Sequence, residues 1–321
     1  MLKGKIALVT GGSRGIGRGI ALQLGEAGAT VYVTGRKVAE SDNKELSSSE
    51  VSLENTATDV TNRGGKGIAV YCDHSNDSQV ESLFRKIEDE QKGQLDILVN
   101  NAYSGVNAIV DSIGKKFYEC SPDIWDTINH VGLRNHYICT VYGARMMVKQ
   151  GSGLIVMISS AGGLRYAFNV PYGAGKAACD RIATDAAQEL RSSNVASVSL
   201  WPGFVKTEMC VDKLVHGEHK ELEGMGNVAE MFANGESTEF AGKAVVHLAA
   251  DSNIMKKSGR IFTTSDLCDE YGFTDVNGTK PPSMRSMKTI LNILKWQRVA
   301  NYVPEFVKVP YWMLTMYGSK F

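Results

Sequence analysis

An excess of charge of either sign is missing. Across 321 residues, 35 Lys and Arg face 35 Asp and Glu, so the formal net charge is zero and no global field draws the chain to nucleic acid. No nucleic-acid partner is expected. The cysteine spacings of a metal site are absent too: Cys72, Cys120, Cys139, Cys179, Cys210 and Cys268 lie far apart, with no C-x-x-C pair and no histidine at ligand spacing. That argues against a zinc site and a disulfide framework, and leaves reduced, mostly buried thiols in a reducing compartment as the expectation. No apolar run is long enough to cross a bilayer. Met1 to Lys5 lead directly into a β-type segment, with no room for the apolar region and cleavage site of a signal peptide. A soluble or peripheral protein is expected, and no internal repeat is visible.

What is present is a regular alternation. Short β-branched apolar runs near Ile6–Thr10, Thr30–Thr34, Gly67–Tyr71, Leu95–Val99, Leu154–Ser159, Ala196–Trp201 and Gly259–Thr263 are separated by longer helical stretches. This is the pattern of a parallel sheet wound with helices on both faces. Seven strands with crossover helices predict one doubly wound domain, not two. In the polar stretch Glu40 to Gly67, Ser47-Ser48-Ser49 predicts a helix start and Arg63-Gly64-Gly65 its end. A second irregular stretch, Val211 to Ser237, holds Gly217, Gly224, Gly226 and Gly235. It is expected to overhang the carboxyl ends of the strands, where ligands sit in this architecture.

Directly after the first strand, Thr10-Gly11-Gly12-Ser13-Arg14-Gly15-Ile16-Gly17 opens a helix. Glycines there let the backbone turn tightly, approach a pyrophosphate and pack helix on strand, so the turn predicts a dinucleotide cradle. The second strand ends Thr34-Gly35-Arg36, without the carboxylate that would meet the ribose hydroxyls of NAD. Arg36, helped by Arg14, suits a 2′-phosphate instead, which makes NADP(H) the expected cofactor ahead of NAD. Asp73, at the end of the third strand, is placed to accept from an adenine amino group. Asn100-Asn101-Ala102, ending the fourth, can tie strands together and border the cofactor or form an Asx-turn.

In Tyr172-Gly173-Ala174-Gly175-Lys176 a phenol and an ammonium four residues apart share one helix face. Hydride transfer to a carbonyl builds negative charge on oxygen and needs a proton donor beside it. A lysine cation and an oxidised nicotinamide favour phenolate, so Tyr172 is expected to ionise below its usual value of about 10 and to act as acid in reduction and base in oxidation. Alone, Y-x-x-x-K is more often a surface pair. Here Ile158-Ser159-Ser160 precedes it and Pro202-Gly203-Phe204-Val205-Lys206-Thr207 follows a later strand. Ser160 is a candidate donor to the substrate carbonyl, and Pro202, Gly203, Val205 and Thr207 are candidates to hold the nicotinamide carboxamide.

With T-G-x-x-x-G-x-G, N-N-A, I-S-S, Y-x-x-x-K and P-G-x-x-x-T in this order, the chain resembles the short-chain dehydrogenase/reductase family over roughly residues 4 to 265. The resemblance implies a single Rossmann-type domain over residues 1–280 with a helical or irregular extension over 281–321. It implies catalytic Ser160, Tyr172 and Lys176, with Lys176 also meeting the ribose. Gly11, Ser13, Arg14, Gly15, Ile16 and Gly17 would cradle the diphosphate side, Asp73 would meet adenine, and Asn100 would line the cofactor. The implied activity is reduction of a ketone or aldehyde: a steroid, lipid-derived or xenobiotic carbonyl. It further implies a homodimer or homotetramer paired through helices Asp123–Lys149 and Tyr172–Arg191.

Two positions depart from the family. Gly132 stands on the helix from Trp125 where most members carry an asparagine that helps hold a proton-relay water. Either Asn129, one turn earlier, or freed backbone groups would substitute; a catalytically weak dinucleotide-binding or scaffolding protein is the alternative reading. Tyr103 replaces the glycine that usually follows N-N-A, and is expected to narrow the cofactor entrance or meet the substrate.

Beyond Pro281-Pro282, residues 285–321 carry six Lys and Arg against Glu305 alone, interleaved with Trp296, Tyr302, Phe306, Tyr311, Trp312 and Tyr317. Such a segment suits a membrane interface, or a tail packed on its own domain or a partner. Ser319-Lys320-Phe321 is a weak version of a peroxisomal signal. Similarity to particular family members implies association with the endoplasmic-reticulum membrane instead, beside a cytoplasmic location.

Overall fold

The structure, a computed structural model, describes residues 1–37, 52–211, 221–222, 226–227, 231–232, 234–293, 296–304, 306–310, 312–313 and 316. The first half alternates β1 (Ile6–Val9), α1 (Gly15–Glu26), β2 (Thr30–Gly35), α2 (Leu53–Asn62), β3 (Lys66–Tyr71), α3 (Asp77–Glu90) and β4 (Ile97–Asn100). It continues through α4 (Val106–Asp111), α5 (Ile124–Asn129), α6 (His136–Gln150), β5 (Gly153–Ile158), α7 (Val170–Leu190) and β6 (Val195–Trp201). After a short α8 (Glu208–Cys210), β7 (Glu221–Leu222) pairs with β8 (Gly226–Asn227). Then come α9 (Thr238–Ala250), β9 (Ile261–Thr263), α10 (Thr264–Tyr271), α11 (Met287–Ile293) and α12 (Gln297–Ala300).

Seven strands form one sheet in the order β3-β2-β1-β4-β5-β6-β9, every neighbour parallel. This is the expected doubly wound Rossmann-type fold. Helices cover both faces, so β1, β4 and β6 are buried along their whole lengths, and β1 reads as an unbroken apolar run, while β6 carries the buried Ser197 and Ser199 among its apolar residues. One core lies under α1 and α9, with Leu22, Phe240 and Val245 packed on Val9 and Val156. The other lies under α3 and α6, with Phe84, Ile87 and Met147 packed on Leu8 and Leu98. The order reverses between β1 and β4, which opens a crevice at their carboxyl ends.

Two local expectations change. Ser47 to Ser49 lie outside the described residues; α2 as described begins at Leu53, where the Ser52 hydroxyl accepts from the Asn55 N–H at 3.0 Å, and it ends at Asn62. The single helix expected over Asp123–Lys149 is interrupted by a π turn, His130–Asn135, centred on Gly132. The wider turn rearranges the backbone where α5 passes into α6, beside the site described below.

The tail returns to the domain. Ser286 and Lys308 form an antiparallel bridge, the Val309 N–H donates to the Arg285 carbonyl at 2.8 Å, and Arg285 and Lys308 both reach Asp266 on α10 at 3.0 Å. Glu305, Tyr311, Tyr317 and Ser319 to Phe321 lie outside the described residues. Among the described residues no helix is long and apolar enough to cross a membrane.

Candidate active site

The turn after β1 is built for close approach. Gly15 has a φ of +57°, and a Cβ on Gly17 would lie 2.1 Å from the Gly11 carbonyl oxygen. Only glycine leaves that cradle open, and its N–H groups begin α1, whose positive end suits a diphosphate. Ser13 and Ile16 complete the turn; the Ser13 carbonyl accepts from Thr56 of α2, and Ile16 packs on the core. The residues present therefore fit a dinucleotide.

Asn101 staples this turn to β4. Its amide donates to the Thr10 and Gly11 carbonyls at 2.9 and 3.0 Å, while the Thr10 hydroxyl accepts from the N–H groups of Asn101 and Ala102. Asn100 is fully buried; its amide donates to Thr140 of α6 at 2.9 Å and its Oδ1 has no partner. The strand-tying role falls to the second asparagine of the pair.

At the ends of β1, β2 and β3, Arg14, Arg36 and Asp73 come within electrostatic reach of one another. Burial pulls the Arg14 guanidinium down, Glu208 raises it, and Arg36 lowers it further. Burial pushes the Asp73 carboxyl up, but hydrogen bonds from Ser75 and the Arg36 charge hold it below the usual carboxylate range. The Asp73 side chain is folded into an Asx-turn on Ser75 at 2.7 and 2.9 Å.

The second half of the site hangs on α7. Asn169 caps it, its Oδ1 accepting from the Tyr172 N–H at 2.9 Å, with Pro171 in the first turn where a missing N–H costs nothing. Lys176, one turn on, is 9 % exposed and donates to the Ile158 carbonyl at 3.0 Å. Of the two serines ending β5, Ser159 turns inward and donates to the Lys176 carbonyl at 3.0 Å. The Ser160 hydroxyl accepts from the Gly162 N–H at 3.1 Å and is close enough to the Tyr172 hydroxyl to favour its ionisation. Ser160, Tyr172 and Lys176 thus meet at the carboxyl end of β5.

Burial pushes the Tyr172 hydroxyl up to about 12, with the Ser160 hydrogen bond working the other way. The expected lowering rests on the lysine cation together with an oxidised nicotinamide; in the protein alone burial outweighs the lysine. The ammonium is turned to the Ile158 carbonyl, and its Nζ lies 5.1 Å from the centroid of the Tyr103 ring. The Asn129 amide donates to the Pro171 carbonyl at 3.1 Å, which places this side chain against the first turn of α7.

The loop after β6 closes the site. Gly203 and Val205 lie against Glu236, whose carboxylate accepts from the Thr264 hydroxyl at 2.6 Å, while Val205 and Glu236 form a parallel bridge. Pro202 is buried at the head of the loop. The Thr207 methyl would lie 3.5 Å from a Cβ on Gly15, so the loop rests on the glycine turn. Its hydroxyl caps α8. Next to it, Glu208 accepts from the Gly15 N–H at 3.1 Å. Phe168, with a φ of +61°, packs edge-on to Tyr172 and joins Ile113, Phe204, Cys210 and Phe232 in an apolar wall.

Residues 5–216 match the family model described as short chain dehydrogenase. The chain belongs to the short-chain dehydrogenase/reductase family. It is 48% identical to dehydrogenase/reductase SDR family member 1 of Mus musculus and 46% identical to that of Homo sapiens, in each case over all of this chain and 99% of the relative. A crystal structure of a metagenomic short-chain oxidoreductase in complex with NADP superposes with a TM-score of 0.59 at 25% identity, covering 82% of this chain and 96% of that one. Two residues of this short-chain dehydrogenase/reductase site carried no separate signal in the sequence. Glu208 was legible only as the acid following Thr207, and Glu236, in an irregular stretch, had no motif around it.

Proposed function

We propose that the protein is an NADP(H)-dependent reductase of ketones and aldehydes. The observation that carries this reading is the meeting of Ser160, Tyr172 and Lys176 at the open end of the sheet. A bound reduced nicotinamide supplies the hydride. Tyr172 gives its proton to the carbonyl oxygen as negative charge develops there, and Ser160, within reach of the same hydroxyl, holds that oxygen by a second hydrogen bond. The Lys176 cation favours the resulting phenolate and offers its remaining N–H groups to ribose hydroxyls.

Cofactor preference rests on Arg14 and Arg36, with no carboxylate where β2 ends. A 2′-phosphate between two guanidiniums gains charge-assisted hydrogen bonds that a hydroxyl does not. The wall of Phe168, Phe204, Phe232 and Ile113 favours a substrate with an apolar body, a class that includes steroid, lipid-derived and xenobiotic carbonyls.

Purified protein given NADPH and a panel of such carbonyls is expected to oxidise the cofactor. Tyr172→Phe should lower kcat by roughly a hundredfold or more while leaving NADPH binding intact. Arg36→Asp should weaken NADPH by roughly ten- to hundredfold and NADH far less. Turnover surviving Tyr172→Phe removes Tyr172 from the mechanism, and equal losses for both cofactors remove the phosphate contact. Tight NADPH binding with no turnover of any carbonyl would favour a binding protein of the same fold.

A further inference from the structure

Tyr103 fits its place too closely to be a spectator. A Cβ on Gly132 would lie 2.4 and 2.5 Å from two atoms of the Tyr103 ring, and one on Gly105 would lie 2.7 Å from its hydroxyl oxygen. The ring fills volume that glycine at 132 leaves open and that any other residue there would take. Its hydroxyl is buried with no hydrogen-bond partner, so the phenol is not held by its polar end. Its face is turned to the Lys176 Nζ, 5.1 Å from the centroid, and its edge to Tyr172 at 6.4 Å.

The surroundings of the ammonium leave this ring prominent. Lys176 makes one hydrogen bond, to Ile158, and among the described residues no carboxylate lies within ion-pair distance of it. The ionisable groups around it are Tyr172, Cys179 and Asp180 on α7, His136 on α6 and Tyr103 itself. Asp180 is engaged by Ser199 and Trp201 at 2.6 and 2.9 Å, and Cys179 donates to the Gly132 carbonyl at 3.4 Å. Burial keeps His136 neutral, its Nε2 against the Ala102 carbonyl at 2.9 Å.

We infer that Tyr103 is a positioning residue of the reductase site, its ring face holding the Lys176 ammonium on one side while Ile158 holds it on another, with Gly132 as the complementary gap that admits the ring. The catalytic part of this inference rests on the reductase reading; the contact itself does not. A π face stabilises a desolvated cation, so the ring keeps Lys176 charged and fixed in direction.

The test reads the ammonium itself. In full-length protein carrying 13C-lysine, with the signal assigned through Lys176→Met, the titration midpoint of Lys176 should fall by roughly 0.5 to 1.5 pH units in Tyr103→Leu. Tyr103→Phe, which keeps the ring, should restore it. Gly132→Ala, which pushes the ring aside from the opposite direction, should lower the midpoint as Leu does, and serves if Tyr103→Leu does not fold. In turnover, Tyr103→Leu is expected to lose about tenfold in kcat with a smaller change in KM, and Phe to recover most of it. Unmoved midpoints in both Tyr103→Leu and Gly132→Ala overturn the inference. Shifted midpoints in a protein that turns over no carbonyl keep the ring contact and remove the reductase reading.

Discussion

At the scale of single residues, the loop that closes the site depends on a buried acid. Burial pushes the Glu236 carboxyl from 4.5 up to about 8, against hydrogen bonds from Thr264 and Gly203 that favour its charged form. Its Oε1 has no partner. A folded-state value above the unfolded one means that the stability Glu236 contributes is complete below about 4.5 and is lost as the pH rises toward about 8. Glu236→Gln keeps an acceptor for Thr264 and Gly203 and abolishes the titration. The Tm of the native protein is therefore expected to fall, relative to that of Glu236→Gln, as the buffer moves from pH 5 to pH 8; parallel curves would show that the carboxyl ionises freely. Sequence reasoning had no access to this residue, because burial without a motif leaves no pattern in a linear chain.

Among elements, the N-terminus of α1 already holds an anion. Glu208, at the start of α8, accepts from the Gly15 N–H, so two helix beginnings meet around one carboxylate. A diphosphate arriving at the same turn meets a like charge. Glu208→Gln is expected to tighten NADPH binding by about two- to fivefold, the size of a helix-end charge effect, and to lower the Tm of the cofactor-free protein slightly. Weaker binding in the variant would mean that Glu208 orders the turn rather than competing for it. The glycine turn and the loop after β6 were both legible in sequence, since each has residue types that only one backbone geometry requires. Their contact was not, since it follows from the tertiary packing of Thr207 on Gly15, and neither was the π turn at Gly132, which no residue pattern in the chain marks. The central strands were readable because burial on both faces favours short, β-branched apolar segments such as β1, whereas the edge strand β3 is only partly buried.

For the whole molecule, the extension is part docked and part exposed. Arg285 and Lys308 on Asp266 tie its base to α10, whereas Trp296, Tyr302 and Phe306 are 61%, 89% and 81% exposed, beside Arg298. Aromatic and basic side chains together match a lipid interface. The full chain is expected to cosediment with anionic vesicles, and the Trp296→Ser, Tyr302→Ser, Phe306→Ser triple variant, which spares the Asp266 ties, to stay in the supernatant. Equal sedimentation of the two would remove these rings as the anchor.

Gly15 and Glu208 touch across 193 positions of the chain. The glycine turn leaves the ribosome well before the loop that rests on it, with β2 to β6 made in between. A nascent chain stalled before β6, or a fragment cut there, carries the glycine turn without the loop that rests on it, so this contact can form only once synthesis has run past β6.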